Sequence, residues 1–229
     1  MSKRKGANRN KLFVVAKCAQ TLDGKIATSS RDSQWITSKK TRQFARKIRN
    51  QFDAILVGIE TVICDNPKLA PANQKSYFKK IVLDSTLKIS PQANLFKRIQ
   101  SKNCVMATTT KASKAKRRFL EKKGVSVIEC PAKNARVNMK WLFRKLYKLG
   151  VRKLLIEGGA QVVGCALKEN LVDRVHVYVA PKILGDDTAL SAVAGRKVKR
   201  IDQSIGLKNM AVKRIGPDLF IQADVYRDR

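Results

Sequence analysis

The chain has 229 residues, about one and a half times the ~150 of a typical domain, so its length admits one large domain or two small ones. Apolar residues make up 44% of it, with only 12 Gly and 6 Pro, which excludes the collagenous and low-complexity classes and leaves enough apolar side chains for a core. The charge is unbalanced: 49 Lys and Arg against 17 Asp and Glu leave +32, a surface that gathers phosphates, nucleotides and nucleic acid.

Along the chain, apolar runs of four to eight residues alternate with longer segments of helical period, the pattern of an α/β domain. Strands are expected at 12–18, 53–58, 80–84, 104–108, 125–129 and 153–157. Between the first two, Thr37 can cap a helix over 38–51 in which Phe44, Ala45 and Ile48 form the apolar stripe and the Lys and Arg side chains face out. The basic stretch 111–123 reads as a solvated helix face, with RNA contact as the sharper alternative. Asn138 can cap a further helix whose Trp141, Leu142, Leu146 and Leu149 share one face, with Gly150 at its C′ position. Another helix is expected over about 160–169. The period then changes to two at 174–180, and short apolar runs near 207–213 and 218–226 complete an antiparallel end to a mainly parallel sheet. No repeat or linker divides the chain, so a single domain over 12–229 is expected.

The charge bias is uneven. Residues 1–50 hold 14 basic side chains and two acids, Asp23 and Asp32, whereas 154–195 holds three basic residues and five acids: Glu157, Glu169, Asp173, Asp186 and Asp187. An acidic island in a basic chain points to side chains kept for local work. Five widely spaced cysteines without a Cys-x-x-C pair, and a single histidine, provide neither a disulfide framework nor a zinc set, so no metal is expected. No run approaches the ~20 apolar residues of a membrane span, and the start lacks a signal peptide's apolar stretch. A reduced, cytoplasmic protein with a basic disordered arm over 1–11 is expected; a short transit peptide and a nucleic-acid arm are the alternatives for that arm.

Four segments could carry chemistry. Asp23-Gly24 after the first strand is a turn signal. Ser33-Gln34-Trp35-Ile36-Thr37 places an aromatic and two hydroxyls before a helix; a capped helix explains Thr37, and a core position would explain Trp35. Ile55 to Pro67 is a buried-type strand opening into a Gly-containing loop at its carboxyl end, where open α/β sheets bind ligands. Leu154 to Gly164 is a strand whose tip carries Glu157 and the pair Gly158-Gly159 just before a helix, a setting for phosphate or merely a turn. His176, between two valines on an alternating strand, reads as a half-buried strand residue. Lys182 is either an anion contact or one of many basic side chains.

Together, LDGKIA (22–27), SQWIT (33–37), DAILVGIETVICDNPKL (53–69), IVLDS (81–85), LLIEGGA (154–160) and LVDRVHVYVAPKILG (171–185) resemble, in order and spacing, the reductase domain of the bifunctional riboflavin-biosynthesis deaminase-reductase and its stand-alone archaeal counterparts. The resemblance implies a dihydrofolate-reductase-like α/β fold, a mixed, mainly parallel sheet flanked by helices, usually in a homodimer. It implies an NADPH-dependent oxidoreductase that reduces the ribose of a phosphoribosylamino-pyrimidine to a ribityl chain. Deamination is left to another protein, because the zinc-binding residues of that reaction are absent from this sequence. Carried over position by position, the resemblance gives Ala19, Trp35, Thr61, Asp65, Ser85, Gly158, Gly159, Ala160, Gln161, Val162, Val163 and Gly164 to the cofactor. It gives Ser33, Arg49, Leu69 and Glu157 to the substrate, with Lys17 and Glu157 as the catalytic pair. Arg49 suits a substrate phosphate, and the charge of Lys88 suits the cofactor's 2′-phosphate.

Two positions depart from the family's usual pattern. Its DxPxL segment normally continues to an arginine, where this chain has Ala72, with Lys68 or Lys75 as candidate replacements. Glu60 stands where glycine is common. Two other functions fit the same residues: a reductase-like protein that has become a basic RNA- or ribosome-binding component, and a pteridine- or folate-type reductase. A proteome that is basic throughout would also explain the charge.

Overall fold

The computed structural model describes residues 11–73, 77–96 and 103–226; the expected arm over 1–11, Lys11 apart, and Lys75 lie outside them. In chain order the elements are β1 (Phe13–Gln20), β2 (Lys25–Ala27), α1 (Lys39–Ile48), β3 (Ala54–Gly58), α2 (Ile59–Asp65), β4 (Lys79–Leu83), β5 (Cys104–Thr108), α3 (Lys114–Lys122) and β6 (Ser126–Glu129). There follow β7 (Ala132–Lys133), β8 (Arg136–Val137), α4 (Met139–Lys148), β9 (Lys153–Ile156), α5 (Ala160–Lys168), β10 (Arg174–Val179), β11 (Leu190–Ser191), β12 (Leu207–Ile215) and β13 (Asp218–Val225).

Nine strands form one sheet in the order β12-β13-β10-β1-β9-β3-β4-β5-β6. From β10 to β6 every pairing is parallel, and β13 and β12 close the other edge antiparallel. The chain starts in the middle with β1, builds outward through β3 to β6, returns through β9 and then builds the opposite side. The carboxyl ends of β1, β9 and β3 therefore flank the point where the topology reverses, the place at which such sheets leave a crevice.

Alternation along the strands sorts side chains between two layers. Val14, Ala16, Leu154 and Ile156 pack with Leu142, Phe143, Leu146, Val163 and Ala166 beneath α4 and α5. Val15 and Leu155, one residue out of phase, face the opposite layer with Ile55, Val57, Leu120 and Met106. A smaller cluster of Tyr178, Ile215 and Phe220 holds α1 through Phe44, Ala45 and Ile48. That sorting fixes the site, because residues two beyond Val15 and Leu155 emerge on the face that α1 covers.

The structure corrects two local expectations. Ser38, not Thr37, caps α1: its Oγ accepts the Thr41 amide at 3.3 Å, while Thr37 is buried and lends its carbonyl to Arg42. The segment after Gly58 is not a loop but the short helix α2, ended by Asn66 in the left-handed region at φ +40°. Its run of Ile59, Thr61, Val62 and Ile63 has poor helix propensity, and tertiary burial of Val62 overrides it. Asn138 caps α4 by accepting the Trp141 amide at 3.0 Å, and Gly150 takes φ +88° just past the end of that helix.

His176 is buried, edge-on to Phe220 at 5.2 Å. Burial, reinforced by the Arg174 charge, lowers its pKa from 6.5 to about 4. The unfolded chain therefore binds the extra proton first, so this contribution is complete above pH 6.5 and is lost as pH falls toward 4, on the order of 3 kcal/mol in all. A melting-temperature series from neutral pH to pH ~4.5 should fall in the native protein and flatten in His176→Leu. An unchanged slope in the variant would assign the acid sensitivity to other groups.

Candidate active site

Because Val15 pairs with Leu155 in register, the next same-face residues, Lys17 and Glu157, stand side by side at the carboxyl ends of β1 and β9. Arg49, one residue past α1, reaches down to them. Its Nε and NH2 donate to the two Glu157 oxygens at 2.7 Å each, a bidentate pair, and its NH1 donates to the Ala70 carbonyl at 2.9 Å. The Glu157 side chain is only 6% exposed, and Lys17 Nζ lies 4.0 Å from its Oε2 and 5.5 Å from the Tyr178 ring centroid. Burial by itself would raise the Glu157 pKa, but Arg49 and then Lys17 outweigh it and hold the carboxyl below its ordinary value. Burial pushes the neighbouring Cys18 thiol up to about 11, so it stays a thiol at neutral pH.

These groups floor a cleft of about 460 Å³, within the range of small-molecule sites. One wall is the 31–37 segment. Trp35, 59% exposed, lines the cleft and is not a core residue. Lys182 anchors this wall, donating to the Trp35 carbonyl at 2.7 Å, and Asp23 accepts the Leu184 and Gly185 amides at 3.2 and 2.9 Å. A second wall is α2, tied to the first where Ser33 Oγ donates to Asp65 at 3.1 Å and Glu60 pairs with Arg31 at 3.1 Å. The rear is the Gly158-Gly159 turn. Both glycines have positive φ, +147° and +63°, and a Cβ on Gly158 would sit 3.2 Å from Thr61 Oγ1. No side chain caps α5 at Gly159. Val162 and Val163 donate their amides to the Gly159 carbonyl at 2.9 and 3.1 Å, so Ala160 and Gln161 carry the helix-start amides that an anion such as pyrophosphate would meet.

Most of the expected site residues meet here: Lys17, Ala19, Ser33, Trp35, Arg49, Thr61, Asp65, Leu69, Glu157, Gly158, Gly159, Ala160 and Val163 all line the cleft. Ser85, Gln161, Val162 and Gly164 do not. Ser85 lies past β4 and accepts the Val137 amide at 3.2 Å, Val162 packs toward Gly58, and Gly164 lies under the Ala194 carbonyl. Lys68 and Lys88 are exposed and outside the lining. Of the acidic island only Glu157 reaches the cleft: Glu169 pairs with Lys133, Asp173 accepts the Val14 amide and Asp186 that of Thr188. Sequence reading missed Arg31, Arg42, Leu190 and Ala192 among the lining. A signal existed for Arg42 alone, which precedes Arg49 by seven residues and so shares its helix face.

The RibD C-terminal domain family model matches residues 12–221. The chain is 36% identical over 211 residues to the riboflavin biosynthesis protein RibD of Actinobacillus pleuropneumoniae, covering 91% of this chain and 56% of that relative. It is 29% identical over 220 residues to the 2,5-diamino-6-ribosylamino-4(3H)-pyrimidinone 5′-phosphate reductase of Methanothermobacter thermautotrophicus, covering 93% of this chain and 98% of that one. Among solved structures, Acinetobacter baumannii RibD superposes with a TM-score of 0.82 at 25% identity, over 95% of this chain and 59% of that one. The fold alone is shared with Enterococcus faecalis dihydrofolate reductase, at TM-score 0.53, 11% identity and coverage of 94% and 97%. The chain spans little more than half the length of the RibD relatives it matches.

Proposed function

The chain belongs to the RibD C-terminal domain family, and we propose that it reduces the ribose of a 5-phosphoribosylamino-pyrimidine to the ribityl form with NADPH, a step of riboflavin biosynthesis. The observation that carries this reading is the convergence of Lys17, Glu157 and Arg49 beside an uncapped glycine turn in one cleft. When bound, NADPH supplies the hydride, and the residues sited to hold it are Ala19, Trp35, Thr61, Asp65 and the Gly158 to Ala160 turn. Ser33, Arg49, Leu69 and Glu157 bound the space left for the substrate.

The reduction adds a hydride to the sugar carbon and a proton to the oxygen released when the ring opens. Glu157, held ionised by its two cations, is suited to orientation and not to giving that proton. Lys17 carries an ammonium group 4.0 Å from Glu157 Oε2 and over the Tyr178 ring at the cleft floor, which suits it to be the donor. The protein's contribution is then to fix the reacting carbons face to face and exclude water. A homodimer belongs to the same reading. It is supported by β12, a sheet-edge strand on which Leu207, Met210 and Val212 are 50%, 68% and 56% exposed. The RNA-binding alternative is not favoured, since the matched relatives are named for riboflavin biosynthesis.

The test is turnover by the purified protein with the amino and the deaminated pyrimidine, followed by nicotinamide absorbance with NADPH and with NADH. We expect NADPH-dependent reduction of one of the two pyrimidines. A folded protein that turns over neither would overturn the assignment.

A further inference from the structure

Four cations line the cleft, and three of them face one of two carboxylates. Lys17 and Arg49 converge on Glu157, and Arg31 pairs with Glu60. Arg42 differs. Its guanidinium carbon lies 4.1 Å from the Trp35 ring centroid, and its NH1 donates to the Thr37 carbonyl at 2.7 Å. Among the described residues, no carboxylate pairs with it. A guanidinium offers five N–H donors in a planar fork, so the remaining donors of Arg42 are open to a ligand. Stacking on Trp35 and the bond to Thr37 fix the plane of that fork before any ligand arrives, which lowers the entropy lost on binding. Ala72 and the exposed Lys68 supply no competing cation to the lining.

We propose that Arg42 is the phosphate-reading residue of this cleft, its open fork taking a phosphate group from a ligand that stacks or packs against Trp35. The chemistry is shared by two sources, the monoester of a ribose 5-phosphate and the phosphates of a nicotinamide dinucleotide. Only the choice between them rests on the reductase reading; the phosphate site itself does not. Planar, bidentate recognition is what separates arginine from lysine at such a site, so the charge alone is not enough.

Calorimetric titration of ribose 5-phosphate, ribose and NADPH into the native protein, Arg42→Ala and Arg42→Lys tests this, with melting temperatures as a control. Arg42→Ala is expected to weaken one phosphorylated ligand at least tenfold and the other by less than about twofold, with Arg42→Lys in between and melting little changed. Loss for ribose 5-phosphate assigns the monoester, and loss for NADPH assigns the cofactor. Equal binding of both ligands to native protein and Arg42→Ala, or a native protein that binds neither, would overturn the proposal. Phosphate binding that depends on Arg42 in a protein with no reductase activity would leave the site standing and remove the reductase reading alone.

Discussion

Glu157→Gln is expected to lower kcat by about 100-fold or more in a protein that remains folded. The carboxylate is the one acceptor common to Arg49 and Lys17, receiving two 2.7 Å hydrogen bonds from the first and lying 4.0 Å from the second. Glutamine keeps the volume but offers one oxygen and an NH2 group that faces another donor. The guanidinium then turns, and the ammonium loses the charge that holds it at the floor of the cleft. Removing one member of a buried pair costs about 3–5 kcal/mol. The retained amide oxygen holds the loss toward the low end, within the ~5–15 kcal/mol of a typical domain. The pH dependence gives a second readout. The folded pKa of Glu157 is depressed, so its stabilisation is complete above its unfolded value near 4.3 and is lost as pH falls through the folded value. The melting-temperature gap between native protein and variant should therefore be constant at neutral pH and close in strong acid. Native-like kcat/KM in the variant would remove Glu157 from the chemistry.

How far this site could be read from sequence depends on which physical rule placed each residue. Lys17 and Glu157 each sit two residues beyond an apolar residue on a clearly patterned strand, so their common face follows from a period of two once β1 and β9 pair. The parallel sheet with an antiparallel end was likewise legible, since runs such as Ile55 to Val57 and Arg174 to Val179 carry their own signals. The helix α2 was not legible. Its β-branched residues argue against a helix, and only packing of Val62 into a core assembled from distant strands decides the matter. Arg42 was assigned to solvent with the other basic residues of α1. What brings it to the cleft is the 31–37 segment folding back so that Trp35 lies under it, a long-range contact that the seven-residue spacing from Arg49 does not encode. Ser85 shows the converse, a position carried over by resemblance that the structure places two strands from β9. The charge of +32 also concealed the relevant detail, which is that three of the four cleft cations face a carboxylate, Lys17 and Arg49 sharing Glu157 and Arg31 meeting Glu60.

Gly164→Ala is expected to be among the most damaging single methyl additions in the domain, although alanine is the better helix former by about 1 kcal/mol. The glycine lies within α5, and a Cβ built on it would stand 1.7 Å from the Ala194 carbonyl oxygen and 2.9 Å from its carbon. Real Cβ contacts essentially never fall below 3.0 Å, so the backbone at 194 would have to retreat by over about 1 Å. That backbone is not free to do so. The Ala194 amide donates to the Ala160 carbonyl at the start of the same helix, and the Ala192 amide donates to Gly24. Leu190 and Ala192, just upstream, line the cleft. Overpacking of this kind costs roughly 1–3 kcal/mol and occasionally more, which exceeds the gain in propensity. The strain is delivered to the cleft lining at Leu190 and Ala192 and to the helix start at Ala160. The variant should therefore melt several degrees below the native protein and bind NADPH more weakly, even though Gly164 itself touches no part of the cleft. A variant with native melting temperature and native NADPH affinity would show that the 189–195 segment moves away from α5 at little cost. Weakened NADPH binding with unchanged melting would instead return Gly164 to the residues that contact the cofactor.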